Sequence, residues 1–212
     1  MQLVAEITEI KINKKNSHRR SVYVDGNFAF SISEGVFLKK GEKISQSTIK
    51  DFKEIDDLNK AKLSALNLIS YRPRSEKEVY DKLIQKGWGK FIANRVVSEL
   101  VKNQYINDES FAKLFANYKV KNYLLGPNSL RKELYKKGLK NEIIEKTIQL
   151  VYDEYPKEVL IRSLIEKRGF KLGVRIEKKE LDKVYKLLFR KGYSLDDIKM
   201  SMNDYNHDVN GS

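Results

Sequence analysis

Glu133-Leu134-Tyr135-Lys136-Lys137-Gly138-Leu139 closes a helix-like segment in a manner that the chain uses twice more. The other copies are Lys82-Leu83-Ile84-Gln85-Lys86-Gly87-Trp88 and Leu187-Leu188-Phe189-Arg190-Lys191-Gly192-Tyr193. The three glycines lie 51 and 54 positions apart, so the chain repeats itself at a near-constant period. Repetition at such a period marks a tandem array of helical units. Each closing run has a physical logic. Glycine just past a helix adopts the left-handed conformation that ends the last turn. The cation before it suits the negative end of the helix dipole, and the apolar residue after it folds back onto the helix. A single copy would be ordinary capping; three evenly spaced copies indicate repeats.

Working outward from these corners, the spacing predicts helices from about Ser47 onward. In the first unit Leu63, Leu66 and Ile69 form one stripe, Pro73 breaks the helix, and Ser75-Glu76-Lys77-Glu78 is a capping box for the next. Val79 and Leu83, then Ile92, Val96, Val97 and Leu100, supply its second and third stripes. The second unit opens with Asn107-Asp108-Glu109 as N-cap and acidic first turn, followed by Phe111, Leu114, Phe115 and Tyr118. Gly126-Pro127 starts a helix bearing Leu130 and Leu134, and Ile143, Ile144, Ile148 and Val151 complete the unit. The third is less regular. Pro156 opens it, Leu160, Leu164 and Ile165 run to Gly169, Leu181, Val184, Tyr185 and Leu188 run to Gly192, and Ser194 caps a last helix through Ile198 and Met202.

The first forty residues differ. Leu3 to Ile12 alternates apolar and polar from Ala5, and Val22-Tyr23-Val24 and Phe28-Ala29-Phe30 flank Asp25-Gly26, a hairpin turn signal. A small antiparallel sheet of about three strands is expected, with a short helix from Ser33 through Leu38. The expected organisation is a β-rich region over 1–50, three-helix repeats over 58–106, 107–155 and 156–202, and a disordered tail over 203–212. The expected fold class is mainly α, an array of three-helix repeats with a small antiparallel β extension.

Of the 212 residues 42 are Lys or Arg and 29 Asp or Glu, a net charge of +13. Residues 1–57 contribute +1, residues 58–155 +8 and residues 156–212 +4. The excess sits in the repeats, which points to a polyanionic partner. No cysteine is present and the two histidines, His18 and His207, are far apart. Disulfides, thiolate catalysis, a metal site and a catalytic triad are therefore not expected, and no Gly-rich phosphate loop occurs. Carboxylates lie among lysines at helical spacing, as on solvated helices. The chain reads as a non-enzyme with no cofactor. Glu6 interrupts the first apolar residues and no apolar run is long enough to span a bilayer, so a cytoplasmic location is expected, with no membrane partner.

The candidate binding residues are basic. Arg72 and Arg74 flank Pro73; Lys119 and Lys121 end the first helix of the second unit; Arg131, Lys132, Lys136 and Lys137 span the helix after Gly126-Pro127. Arg162, Lys167, Arg168 and Lys171 cluster in the third unit, with Arg190 and Lys191 closing its second helix. Any one lysine is adequately explained by solubility. Equivalent helices of an array, however, would bring these charges to one side, where they could follow a phosphate backbone or an acidic protein groove. Arginine in a cluster or beside proline departs further from mere solubility, because its planar fork suits phosphate and carboxylate.

Several runs resemble one family. Ser70-Tyr71-Arg72-Pro73-Arg74-Ser75-Glu76-Lys77-Glu78-Val79 with Lys82 to Gly87 resembles the first repeat of the RecX family of recombinase regulators. Asn107 to Ala112 and Gly126 to Gly138 look like its central segment, and Arg190-Lys191-Gly192-Tyr193-Ser194 with Ile198 is similar to its closing repeat. The match runs over about residues 58–202. It departs at Asn128 and Ser129, where the family often carries basic residues, and fits loosely between Phe170 and Lys179. The resemblance implies tandem three-helix repeats forming an elongated, curved molecule that binds RecA or its filament on single-stranded DNA. There it would limit filament growth, ATP hydrolysis and strand exchange, with weak direct DNA contact besides. The residues alone leave two rivals: a general nucleic-acid-binding helical protein, and a protein-interaction scaffold.

Overall fold

The computed structural model describes residues 4–13, 16–171 and 177–206. The expectations for Leu3, for the polar loop at Lys14-Lys15, for the irregular stretch at 172–176 and for the tail at 207–212 fall outside these. The chain divides into two compact units, one reaching to Arg72 and including Val79–Tyr105, the other formed by Pro73–Glu78 and the chain from Ile106. Among the described residues the fold is mainly α, an antiparallel sheet followed along the chain by helices in successive threes.

In the first unit four strands, β1 (Val4–Asn13), β2 (Asn16–Val24), β3 (Asn27–Ser33) and β4 (Lys43–Ser45), pair in the order β3-β2-β1-β4. The fourth strand goes beyond the three expected. It has only three residues, too few to show alternation, yet it pairs Ala5 with Ile44. The short helix expected after Ser33 does not form. Gly35 sits in a turn closed by the Val36 N–H donating to the Ser33 carbonyl (3.0 Å), and Val36 and Leu38 instead pack against the sheet core. That core consists chiefly of Ile7, Val22, Val24, Phe30, Ile32 and Ile44. It is closed by α1 (Gln46–Tyr71), whose Phe52 ring stacks on Phe30 at 4.9 Å.

A buried carboxylate fastens this helix to the sheet. Asp56 is 3% exposed; it accepts from Arg19 of β2, from the Ser31 N–H of β3 (2.9 Å) and from Lys60 one turn on (2.8 Å). Removing one partner of a buried pair leaves the other charge uncompensated. Asp56→Ala should therefore lower the stability of this unit by about 3 kcal/mol in urea unfolding; an unchanged midpoint would remove the cluster from the fold's supports.

Along α1 the expected stripe is displaced. Ala61 and Ala65 are buried against α3 (Lys90–Lys102), while Leu63 is 57% exposed and Leu66 and Ile69 are half-buried. Extended backbone at Arg72 ends α1, as a residue before proline requires. Ser75 then caps α2 (Glu76–Gln85) by accepting from the Glu78 N–H (3.2 Å).

The second unit repeats this scheme twice, in α4 (Asp108–Tyr123), α5 (Pro127–Lys136), α6 (Asn141–Glu154), α7 (Lys157–Glu166), α8 (Lys178–Lys191) and α9 (Leu195–Asn206). Asn107 caps α4 through the Ser110 N–H (2.9 Å), and Ser194 and Asp197 form a reciprocal capping box for α9. A single apolar core runs through all six helices, from Phe111 to Met202. Within it α4 shows the same displacement as α1: Ala112 and Ala116 are fully buried, while Leu114 and Tyr118 are more than half exposed.

The glycine corners do more than end helices. The carbonyls of Lys191 and Gly192, at the C-terminus of α8, accept from the N–H groups of Gly126 (2.8 Å) and Asn128 (3.0 Å), at the N-terminus of α5. Orphan acceptors of one helix thus satisfy orphan donors of another, and opposite dipole ends meet. The approach leaves no room for side chains. A Cβ on Gly126 would lie 2.6 Å from the Gly192 carbonyl carbon, and one on Gly192, where φ is +95°, would lie 2.3 Å from the Ser129 nitrogen. The C-terminus of α5 is used likewise: the Ser75 hydroxyl donates to the Lys137 carbonyl (2.7 Å), and Lys137 Nζ pairs with Glu78 (2.7 Å). At Gly87 nothing approaches within 4 Å, so that corner only caps its helix.

Two tyrosines, Tyr193 buried and Tyr152 half-buried, brace the same joint. Tyr193 donates to the Leu124 carbonyl (3.1 Å) and Tyr152 to that of Leu125 (2.7 Å). Burial, and then neighbouring negative charge, pushes both phenols well above their ordinary value of 10.0. The unfolded chain therefore loses these protons first, so their contribution is present below pH 10 and is lost as pH climbs past it. The second unit should destabilise above that pH, and more gently in Tyr152→Phe, when followed by helical circular dichroism; equal slopes in both proteins would contradict the assignment.

Candidate polyanion-binding site

Helix α5 carries Leu130 and Leu134 on its buried face, which leaves Ser129, Lys132, Glu133 and Lys136 on the outer one. Lys119 approaches from the last turns of α4, and Lys191 from the end of α8, where the glycine joint fixes its backbone. Together they wall a cleft of about 300 Å³. Four lysines face one carboxylate there, a local excess of three positive charges.

Each ammonium is positioned differently. Lys191 donates to the Tyr123 carbonyl (2.7 Å), which holds it at the cleft wall. Lys119 lies over the rings of Phe115 (5.3 Å) and Tyr123 (5.2 Å) and reaches Glu133 at 3.3 Å. Lys136 reaches the other Glu133 oxygen at 3.7 Å. Lys132 is exposed and has no ion pair among the described residues. One carboxylate shared by two lysines, with two further cations beside it, is a wall that can accept an additional anion.

The other sequence-picked cations lie elsewhere. Arg131, one position from Lys132, turns to α6 and grips Glu145 with both arms (2.6 and 2.8 Å). These hydrogen bonds raise the guanidinium's pKa and hold the Glu145 carboxyl below its usual range. Lys137 is held by Glu78 and stands over Phe115. Lys121 lies over the Tyr155 ring at 5.1 Å. Arg72 is exposed and Arg74 half-buried in the loop that opens α2, and both, like the exposed Arg162 on α7, already have interaction partners. Lys167 and Lys171 are exposed beyond α7. Arg168 and Arg190 flank a second, apolar groove on the third repeat, together with Lys183 and Lys186. These last two were not singled out in the sequence, although Lys183, Lys186 and Arg190 recur at helical spacing.

Comparison with known proteins agrees with this architecture. Residues 5–45 match the family model "Regulatory protein RecX N-terminal domain", residues 61–100 "RecX, first three-helix domain" and residues 107–148 "RecX, second three-helix domain". The chain is similar to the regulatory protein RecX of Listeria innocua, with 32% identity over 92% of this chain and 74% of that protein. It is likewise similar to that of Bacillus cytotoxicus, with 31% identity over 99% of this chain and 80% of that protein. A crystal structure of regulatory protein RecX superposes with a TM-score of 0.74 at 25% identity, over 94% of this chain and 99% of that one. RecX from Lactobacillus salivarius superposes with a TM-score of 0.62, over 71% of this chain and 97% of that one. No described helix is long and apolar enough to cross a membrane. With its sheet, its repeated helix triplets and these relatives, the chain belongs to the RecX family of regulatory proteins.

Proposed function

We propose that this protein regulates homologous recombination by binding RecA, or the RecA filament on single-stranded DNA, and that it limits filament growth, ATP hydrolysis and strand exchange. It acts by binding and carries out no reaction of its own. The observation that carries this reading is the convergence of Lys119, Lys132, Lys136 and Lys191 on one cleft, in a chain whose positive excess lies in the repeats. Such a cleft suits a phosphodiester or a surface carboxylate equally, and a filament of protein on DNA presents both. Lysine is the appropriate cation here, because its point charge follows a backbone without demanding one fixed geometry.

Addition of sub-stoichiometric protein to RecA assembling on single-stranded DNA should slow both filament growth and ATP hydrolysis. Raising salt should relieve the effect, with a log–log slope of about −2 for three net charges on a single strand. Unaltered assembly and turnover at low salt would refute the proposal. Binding to bare single-stranded DNA with none to RecA would transfer the cleft to general nucleic-acid binding.

A further inference from the structure

The third repeat carries a second recognition surface unlike the lysine cleft. Between α8 and α9 lies an open groove of about 660 Å³, a size typical of ligand clefts. Its floor is apolar, formed by Phe189, Leu195, Ile198 and the body of Tyr185. Phe189 is 64% exposed and Leu195 54%, so two large apolar side chains on adjoining helices face water together. Isolated exposed apolar residues are common, but a joined pair in a concavity is a mark of recognition. The rim is cationic throughout: Arg168, Lys183, Lys186 and Arg190, with no carboxylate among the described lining residues. Lys183 is paired with Glu180, whereas Arg168, Lys186 and Arg190 carry no ion pair among the described residues.

We infer that this groove docks an acidic, apolar-anchored segment of a partner protein, laid between α8 and α9. The apolar floor decides between the polyanions. A nucleic-acid strand stacks successive bases on open ring faces; of the described lining residues Phe189 is the one exposed ring, Tyr185 is half-buried, and Leu195 and Ile198 beside them are aliphatic. A peptide with two or three apolar anchors flanked by Asp or Glu fills the floor and meets the rim at once, the helix-in-groove mode of recognition. Charge on the rim steers and orients such a segment, and the exposed aromatic provides the anchor pocket. The inference rests on the reading above, in which the partner is the recombinase filament; it assigns the protein-facing contact to the third repeat and leaves the lysine cleft to meet phosphate or carboxylate.

The test uses the full chain with Phe189 replaced by photoreactive benzoylphenylalanine, bound to RecA filaments on single-stranded DNA, illuminated and mapped by mass spectrometry. The expected adduct joins position 189 to an acidic stretch of RecA. In parallel, Phe189→Ala with Leu195→Ser, and separately Lys186→Glu with Arg190→Glu, should each weaken co-sedimentation with filaments about tenfold while leaving helicity intact, since these side chains are exposed. An adduct on the oligonucleotide, an adduct within the same chain, or unchanged co-sedimentation of both variants would overturn the inference while leaving the proposed function standing. Failure of the unmodified protein to co-sediment would remove both.

Discussion

Gly192→Val should cost the second unit about 5 kcal/mol, the exceptional range for a single substitution. Two costs combine. At φ +95° any side chain is strained, and a β-branched one most of all. In addition the new Cβ would enter the Ser129 backbone at 2.3 Å, and Ser129 cannot retreat, because its neighbours Gly126 and Asn128 are hydrogen-bonded to α8. The hydrogen bonds from Gly126 and Asn128 to the α8 carbonyls would have to break for the helices to part, exposing Tyr193 and the core around it. Urea unfolding with a far-ultraviolet readout should show the loss as a lowered midpoint or as a separate early transition. Gly87→Ala is the comparison: the same left-handed conformation, at φ +89°, but nothing within 4 Å, so about 1 kcal/mol. Equal losses at both sites would mean that the joint contributes nothing beyond capping.

Lys132→Glu combined with Lys136→Glu should abolish most filament binding, a loss of about a hundredfold at low salt. The two reversals turn a cleft with three net positive charges into one with a single net negative charge, and the salt slope should fall by about 2. Both side chains are exposed, so thermal unfolding should be nearly unchanged. Arg131→Gln, at the adjacent position, should leave binding intact, because its guanidinium already serves Glu145. If the Arg131 variant proved defective and the double lysine variant normal, the binding face would lie on the α6 side of α5 instead.

The glycine corners, the capping residues Ser75, Asn107 and Ser194, and the leucine pair of α5 were all legible in the sequence, because each is a local requirement of the backbone. The first helices of the repeats were not. A reader who ranks side chains by hydrophobicity buries Leu63 or Leu114, whereas the fold buries Ala61 and Ala65 or Ala112 and Ala116. Small residues four apart let a neighbouring helix come close, and that contact is invisible until the neighbour is known. Asp56 was illegible for a related reason: a carboxylate amid lysines at helical spacing looks solvated unless the sheet that covers it is in view. The cations were legible as a population and not as a surface. Lys132 and Arg131 are neighbours in sequence and point to different partners, a distinction that composition does not carry.

Lys191 belongs to two systems at once. Its carbonyl accepts from Gly126 and its ammonium is moored to the Tyr123 carbonyl, so one residue both closes the joint between successive repeats and lines the lysine cleft. An anion held between Lys132 and Lys191 would therefore bridge two modules like a clamp, and by thermodynamic linkage it would raise their resistance to separation by RT ln(1 + [L]/Kd). Occupancy of the cleft and rigidity of the second unit would then be a single equilibrium, and stiffening of that unit would itself report a bound anion.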